Sequence, residues 1–200
     1  MQVLRPTFFG SFPAFFNKMN DEILQKMKSL QWPLRGIAEY AISSKIWYFH
    51  NHGLVQHWIY DFLIFRHIRN MLGGRIRIMC SGGAPLYSDI KEMMTIAMSA
   101  PIFECYGQTE SSGNCASTAY WERKAGHVGG ILPCIRMQLR EVPDLNTDTR
   151  ADIPRGELHI KGNSIMKGYF KDPELTAKVI DKDGWFRVGD LVKVFPNGAI

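Results

Sequence analysis

The stretch that most constrains the fold begins at Gly74. Arg75-Ile76-Arg77-Ile78-Met79-Cys80 alternates polar and apolar side chains and runs into Ser81-Gly82-Gly83-Ala84-Pro85. A period of two marks a half-buried strand, and a glycine pair before a proline ends it in a tight turn. Leu86 to Ser99 reads as a helix, with Asp89 in the first turn where the helix dipole favours an acid. Pro101 to Cys105 is a short strand feeding Tyr106-Gly107-Gln108-Thr109-Glu110. Strand, turn, helix, strand, loop is α/β grammar, and ligands in such sheets collect at the carboxyl ends of strands.

The flanks differ from this centre. Phe15 to Trp32 carries Phe16, Met19, Ile23, Met27 and Leu30 at helical spacing, and Pro33 closes it. Leu34 to Phe49 is a second predicted helix. Leu54 to Leu72 is a third, with Val55, Trp58, Phe62, Phe65 and Leu72 on one stripe and Gly73-Gly74 as its stop. Such aromatic stripes suit a packed core, and a lipid-lining tunnel is the alternative. After about Pro133 the chain becomes β-rich: Ile135 to Val142, Gly156 to Lys161 and Leu191 to Phe195 read as strands, with a polar loop from Asp144 to Pro154. Pro173 to Ile180 is a short helix with Asp172 as its N-cap. The predicted fold is mixed α/β with helix-flanked sheets, an α/β portion over 1–132 and a β-rich, barrel-like portion over 133–200.

Composition narrows the function classes. Of the residues, 46% are apolar and 12% aromatic, which excludes a disordered chain. Cys80, Cys105, Cys115 and Cys134 form no CxxC pair, which argues against a zinc ribbon or a disulfide framework and for reduced thiols facing the cytosol. Met1 to Gly10 shows no signal-peptide pattern. The most apolar run, Leu54 to Phe65, is broken by His57 and Asp61 and falls short of the roughly 20 residues a membrane-spanning helix needs. The formal charge of +5 is concentrated in the first half, where 11 Lys/Arg face 6 Asp/Glu. That half could face anionic lipid or phosphate, or be a plain solvated surface. It lacks a nucleic-acid motif and its aromatics sit at core-like spacing, so nucleic acid is not an expected partner. His50, His52 and His57 lack a carboxylate or Cys at ligand spacing, which makes them poor metal ligands.

Several short segments follow one another in fixed order: Ser81-Gly82-Gly83-Ala84-Pro85, Tyr106-Gly107-Gln108-Thr109-Glu110, Gly156-Glu157-Leu158, Lys167-Gly168-Tyr169, and Asp183-Gly184-Trp185-Phe186-Arg187-Val188-Gly189-Asp190-Leu191. Each alone is weak. Together they resemble the adenylate-forming superfamily of acyl-CoA synthetases, peptide-synthetase adenylation domains and luciferases. Within it the long-chain acyl-CoA synthetases are most similar. Leu4-Arg5-Pro6-Thr7 running into Phe12-Pro13, Ala125-Gly126-His127-Val128-Gly129, and Lys167 through Pro173 resemble theirs.

The resemblance implies ATP-dependent activation of a long-chain fatty acid to an acyl-adenylate, then thioester formation with coenzyme A. It implies ATP, Mg2+ and coenzyme A as cofactors and co-substrates. Gly82, Gly83, Ala84 and Pro85 match a turn that brings backbone close to a purine, with Tyr106 as the stacking ring and Gly107 and Gln108 beside it. Asp190 matches the acid that takes the ribose hydroxyls, since an ionised carboxylate offers two acceptor oxygens. Thr109 supplies a hydroxyl toward the phosphates, and Glu110 matches the magnesium ligand, a hard oxygen suited to that ion. Taken in isolation, Glu110 and Asp190 would be solvated turn acids; their matching context reverses that. Trp185 is expected in the core. His127 matches a position near the acyl tunnel, and a satisfied turn histidine is the alternative.

The superfamily's Ser/Thr/Gly-rich phosphate loop and its lysine-bearing C-terminal domain have no counterpart among these 200 residues, so the chain reads as an internal piece of the larger N-terminal domain. Isolated, it is expected to adenylate little. Val188 stands where relatives usually have Thr, and Ala14 where many carry Arg. A cytosolic or cytosol-facing location (endoplasmic reticulum, peroxisome or mitochondrial outer membrane) follows from the resemblance, with peripheral membrane association of the full-length enzyme. The other reading is a non-catalytic remnant that binds nucleotide or acyl groups without turnover.

Overall fold

The structure, a computed structural model, describes residues 2–120 and 122–200. Met1, where the reading of the first ten residues starts, lies outside them. The chain divides into two compact units, one of residues 1–104 and 119–126, the other of 105–118 and 127–200.

In the first unit, β1 (Phe8–Ser11) pairs in parallel with β2 (Ile78–Gly82), Phe9 opposite Met79 and Ser11 opposite Ser81. Between them lie α1 (Pro13–Lys28) and α2 (Leu34–His52). Pro13 opens α1, where its missing N–H costs nothing. Phe16, Met19 and Ile23 are buried as their spacing predicts, while Leu30 lies beyond the helix end and is exposed. On α2 the buried positions Ala38, Ala41, Lys45 and Phe49 recur at three and four residues, a stripe facing the core.

The third predicted helix is corrected. Residues 54–57 are not helical, and the segment is α3 (Trp58–Tyr60), a π-helical turn over Asp61–Phe65, and α4 (Arg66–Met71). A π turn carries an extra residue, so the 3.6-residue stripe breaks there. Phe65 and Leu72 are buried, but Trp58 is 82% and Phe62 63% exposed. Asp61 explains the local arrangement. Its carboxylate accepts from His57 N (2.9 Å), Ser99 Oγ (2.9 Å) and the buried Lys45 Nζ (2.6 Å). Lys45 also donates to the Ile96 carbonyl and to Ser99 Oγ (2.6 and 2.9 Å) and lies 4.4 Å from the Phe65 ring centroid. Burial pulls the Lys45 ammonium below its ordinary pKa, and the Asp61 hydrogen bond and charge oppose that.

After β2 the chain turns at Gly83 (φ +86°), where a Cβ would sit 3.2 Å from the Phe12 ring. Helix α5 (Ser88–Met98) follows, with Asp89 in its first turn. Its Lys91 pairs with Glu104 at 2.9 Å, both buried. Met79, Met94, Ile96 and Ala97 join Phe16 and Phe65 in the first core.

Strand β3 (Ile102–Gln108) carries the chain into the second unit. It runs three residues past the predicted end at Cys105 and meets β4 (Gly113–Ser117) antiparallel, Tyr106 opposite Ala116. β4 then pairs antiparallel with the short β5 (Gly130–Ile131). Sequence periodicity had not marked β4.

The β-rich region holds β6 (Ile135–Arg140), β7 (Arg155–Gly162) and β8 (Phe186–Lys193) in an antiparallel three-stranded sheet of order β6-β7-β8. Among the described residues this sheet is open, not a closed barrel: three strands are too few to close on themselves. Leu158, Ile160 and Phe186 fill one face with Cys115 and Ile135. Burial raises the Cys115 thiol to about 11, so it packs as a small apolar side chain. Helix α6 (Pro173–Val179) is capped as predicted, Asp172 Oδ1 accepting from Leu175 N at 2.8 Å.

Polar side chains populate the other face of that sheet. Glu157 accepts from Arg187 Nε at 2.7 Å and lies 3.4 Å from His159 Nε2, both acceptor and ring being buried. Burial, followed by the charge of Arg140, holds His159 below its ordinary pKa of 6.5, against the pull of Glu157. The unfolded chain therefore binds the proton first as pH falls. Stability that is full above about pH 6.5 is lost as pH drops through the lower folded value. His159→Gln is expected to flatten the decline of thermal midpoint as pH falls below about 6.5, measured on the full-length protein. An unchanged slope would remove His159 as its source.

Candidate active site

The predicted residues fall in both units. Gly82, Gly83, Ala84 and Pro85 form the turn after β2 in the first unit, with Gly83 through Pro85 exposed. Tyr106, Gly107, Gln108, Thr109, Glu110 and Asp190 all belong to the second.

In the second unit, β3 ends at Gln108 and turns through a 3-10 segment, Thr109–Ser111, into β4. The turn depends on Gly107 and Ser111. A Cβ at Gly107 would lie 1.9 Å from the Gly113 carbonyl oxygen, so only glycine permits this approach. Ser111 Oγ accepts from Gln108 N at 3.0 Å and lies 2.6 Å from the Gly113 carbonyl, which it can donate to. Thr109 is exposed and Glu110 half-buried, so both project from a braced turn. The Tyr169 phenol donates to Glu110 Oε1 at 2.9 Å, and this hydrogen bond raises the phenol's pKa.

Asp190 lies on β8, exposed. Its Oδ2 accepts from the Tyr106 phenol, a contact joining residues 84 apart in sequence. Burial, then Asp190, pushes the Tyr106 pKa far above the ordinary tyrosine range, so the phenol stays a neutral donor. Gln108 Nε2 reaches the Val188 carbonyl at 3.4 Å. Val188 itself is half-buried against the second core, which an aliphatic side chain suits. Ala14 is exposed on the first turn of α1.

Other sequence candidates are accounted for locally. His127 Nδ1 accepts from Gly129 N at 3.1 Å, within a turn where a Cβ on Gly129 would lie 2.0 Å from the Ser117 carbonyl oxygen. His50 pairs with Glu92, and His57 stacks on Tyr60 at 4.1 Å between centroids. Among the described residues no cluster of three His, Cys, Asp or Glu could hold a metal ion by itself. A pocket of about 900 Å³ in the first unit, lined by Phe49, Lys91, Glu92 and Arg123 among others, contains none of the predicted residues.

Two carboxylates within the second unit, Asp190 on the edge strand of the three-stranded sheet and Glu110 on the braced turn between β3 and β4, each accepting from a tyrosine, suit a ligand with several hydroxyl or phosphate groups. The family description "AMP-binding enzyme" matches residues 1–170. The chain belongs to the AMP-binding enzyme family. It is 37% identical over its whole length to long-chain-fatty-acid–CoA ligase 5 of Mus musculus and covers 29% of that protein. It is 36% identical over 99% of its length to the peroxisomal long chain acyl-CoA synthetase 7 of Arabidopsis thaliana, covering 28% of that protein. The chain thus spans under a third of the length of these relatives. Among solved structures, the adenylation domain of a carboxylate reductase from Mycobacterium chelonae matches 99% of the chain with a TM-score of 0.73 at 26% identity; the match covers 27% of that protein. The corresponding domain from Segniliparus rugosus, solved with AMP and a carboxylic acid, matches all of the chain with a TM-score of 0.64 at 26% identity, covering 27% of that protein. As in those adenylation domains, the chain is α/β with helix-flanked mixed sheets. Among its described residues no helix is long and apolar enough to cross a membrane.

Sequence reasoning missed Tyr169 as a partner of Glu110 and Ser111 as the brace of its turn. Lys167-Gly168-Tyr169 stood out as a segment, but nothing local says that its phenol reaches a residue 59 positions earlier.

Proposed function

We propose that the whole protein is a long-chain fatty acid–CoA ligase. A fatty carboxylate oxygen attacks the α-phosphorus of ATP, the bond to pyrophosphate breaks, and acyl-adenylate forms. The coenzyme A thiolate then attacks the acyl carbon and AMP leaves. The observation that carries this reading is the gathering of Tyr106, Thr109, Glu110 and Asp190 in one unit, in the segment order that this family of ligases has.

In this reading Asp190 receives the ribose hydroxyls while Tyr106 fixes its orientation. Thr109 offers its hydroxyl to the phosphates. Glu110 fits a magnesium ion: it is a hard carboxylate, half-exposed, and Oε2 accepts no hydrogen bond among the described residues. Since the described residues hold no other carboxylate or histidine cluster to complete a cage, phosphate oxygens and water would supply ligands beside Glu110, as magnesium prefers. Bound there, the ion would neutralise charge that develops on the phosphate oxygens. A cytosol-facing location and peripheral attachment to a membrane accord with so apolar a substrate.

The test is product formation by the full-length protein with palmitate or oleate, ATP, Mg2+ and coenzyme A. Acyl-CoA and AMP in equal amounts support the ligase. Nucleotide binding without either product would establish the non-catalytic remnant instead.

A further inference from the structure

Two hydrogen bonds clamp the turn bearing Glu110 to the loop after β7 without using the Glu110 side chain. Met166 N donates to the Glu110 carbonyl at 2.8 Å, and Ser112 Oγ donates to the Ser164 carbonyl at 2.7 Å. The loop's place is therefore set by one main-chain bond and the Ser112 hydroxyl, independently of the Glu110 carboxylate, and Tyr169 arrives with it.

Tyr169 is held from its other side as well. Its N–H donates to Thr176 Oγ1 at 2.9 Å, and that hydroxyl donates to the Asp172 carbonyl at 2.8 Å. Gly168, with φ +152°, lets Thr176 come near; a Cβ there would lie 2.8 Å from Thr176 Cγ2. Lys171, with φ +55°, closes the turn back to Asp172, the cap of α6. A half-buried phenol fixed at both ends then donates to Glu110 Oε1 at 2.9 Å.

We propose that Tyr169 is a positioning residue for the Glu110 carboxylate, pinning Oε1 so that Oε2 faces a divalent cation carried by the nucleotide. This rests on the ligase reading of Glu110. A carboxylate on a three-residue turn otherwise samples several rotamers, and each must be given up when the metal binds. A hydrogen bond that already holds one oxygen removes that cost, the role outer partners play around metal ligands. Helix α6 and its cap thereby become part of the metal site without touching the metal.

The experiment uses the full-length protein, wild type beside Tyr169→Phe and Thr176→Val. Affinity for Mn2+ with a non-hydrolysable ATP analogue is read by electron paramagnetic resonance. The Mg2+ concentration for half-maximal fatty-acid-dependent pyrophosphate exchange is read alongside. Tyr169→Phe is expected to weaken Mn2+ binding and raise the Mg2+ requirement about tenfold, with KM for the fatty acid unchanged. Thr176→Val is expected to shift both in the same direction by less. If Tyr169→Phe lowers the melting temperature sharply, Thr176→Val decides. Unchanged Mn2+ affinity in a folded variant overturns the positioning role, whatever its exchange rate. Wild type that binds Mn2+ and nucleotide, weakened by Tyr169→Phe but without exchange, overturns the ligase reading alone. Wild type that binds neither overturns both.

Discussion

Lys45→Ala is expected to destabilise the full-length protein by about 3–5 kcal/mol, the range for removing one partner of a buried ion pair. Lys45 is 1% exposed, and its ammonium supplies all three donors, to Asp61, Ile96 and Ser99. Truncation would leave the buried Asp61 carboxylate without its counter-charge, held only by His57 N and Ser99 Oγ, and would take the ammonium donor from the Ile96 carbonyl. It would also release the contact joining α2, the π-helical turn and the end of α5. The loss belongs to the stranded charge more than to the pair itself. Lys45→Met with Asp61→Leu should therefore recover much of it, a recovery that a double-mutant cycle in chemical unfolding would measure. A single variant within about 0.5 kcal/mol of wild type would show that the pair is an ordinary surface one.

Asp190→Ala is expected to raise KM for ATP about a hundredfold and leave the fold intact. The side chain is exposed, so no core contact is lost. What disappears is an ionised acceptor for two ribose hydroxyls, each such bond contributing about 1.5–3 kcal/mol, and a hundredfold corresponds to about 3 kcal/mol. Tyr106→Phe removes only the phenol that orients Asp190, so its KM should rise less. Steady-state kinetics at saturating fatty acid would separate them. An unchanged KM for ATP in Asp190→Ala would take the ribose away from this residue.

The legible parts of the fold were those written in local chemistry. Phe16, Met19 and Ile23 announced their helix face, Asp172 and Pro173 announced α6, and the glycine pair after Ser81 announced the turn at the end of β2. Strand β4 stayed hidden because Gly113-Asn114-Cys115-Ala116-Ser117 has little β preference of its own; its pairing with β3 makes it a strand. The α3–α4 segment misled for a related reason. A helical stripe is an extrapolation of constant period, and the capture of Asp61 by Lys45 in the interior accompanies a π turn that breaks the period.

The candidate site divides in the same way. Its residue types were legible because adenylate chemistry demands them at recurrent spacings, from Tyr106 to Glu110 and again at Asp190. Their mutual support was not. The Tyr106–Asp190 and Tyr169–Glu110 contacts join chain segments 84 and 59 residues apart, and such pairs arise from tertiary packing with no local signature. The β-rich character after Pro133 was legible, while whether a barrel-like portion closes depends on strand count, and the three strands β6, β7 and β8 form an open sheet among the described residues.

Fatty-acid-dependent ATP–pyrophosphate exchange by the full-length protein, wild type beside Glu110→Ala, tests the central claim most directly. Exchange with palmitate or oleate that falls at least about a hundredfold in a folded Glu110→Ala variant is the predicted result, the scale for removing one electrostatic contributor from a transition state. Exchange that survives the substitution unchanged would remove Glu110 from the reaction, and a folded wild type that exchanges with no fatty acid would contradict the ligase itself.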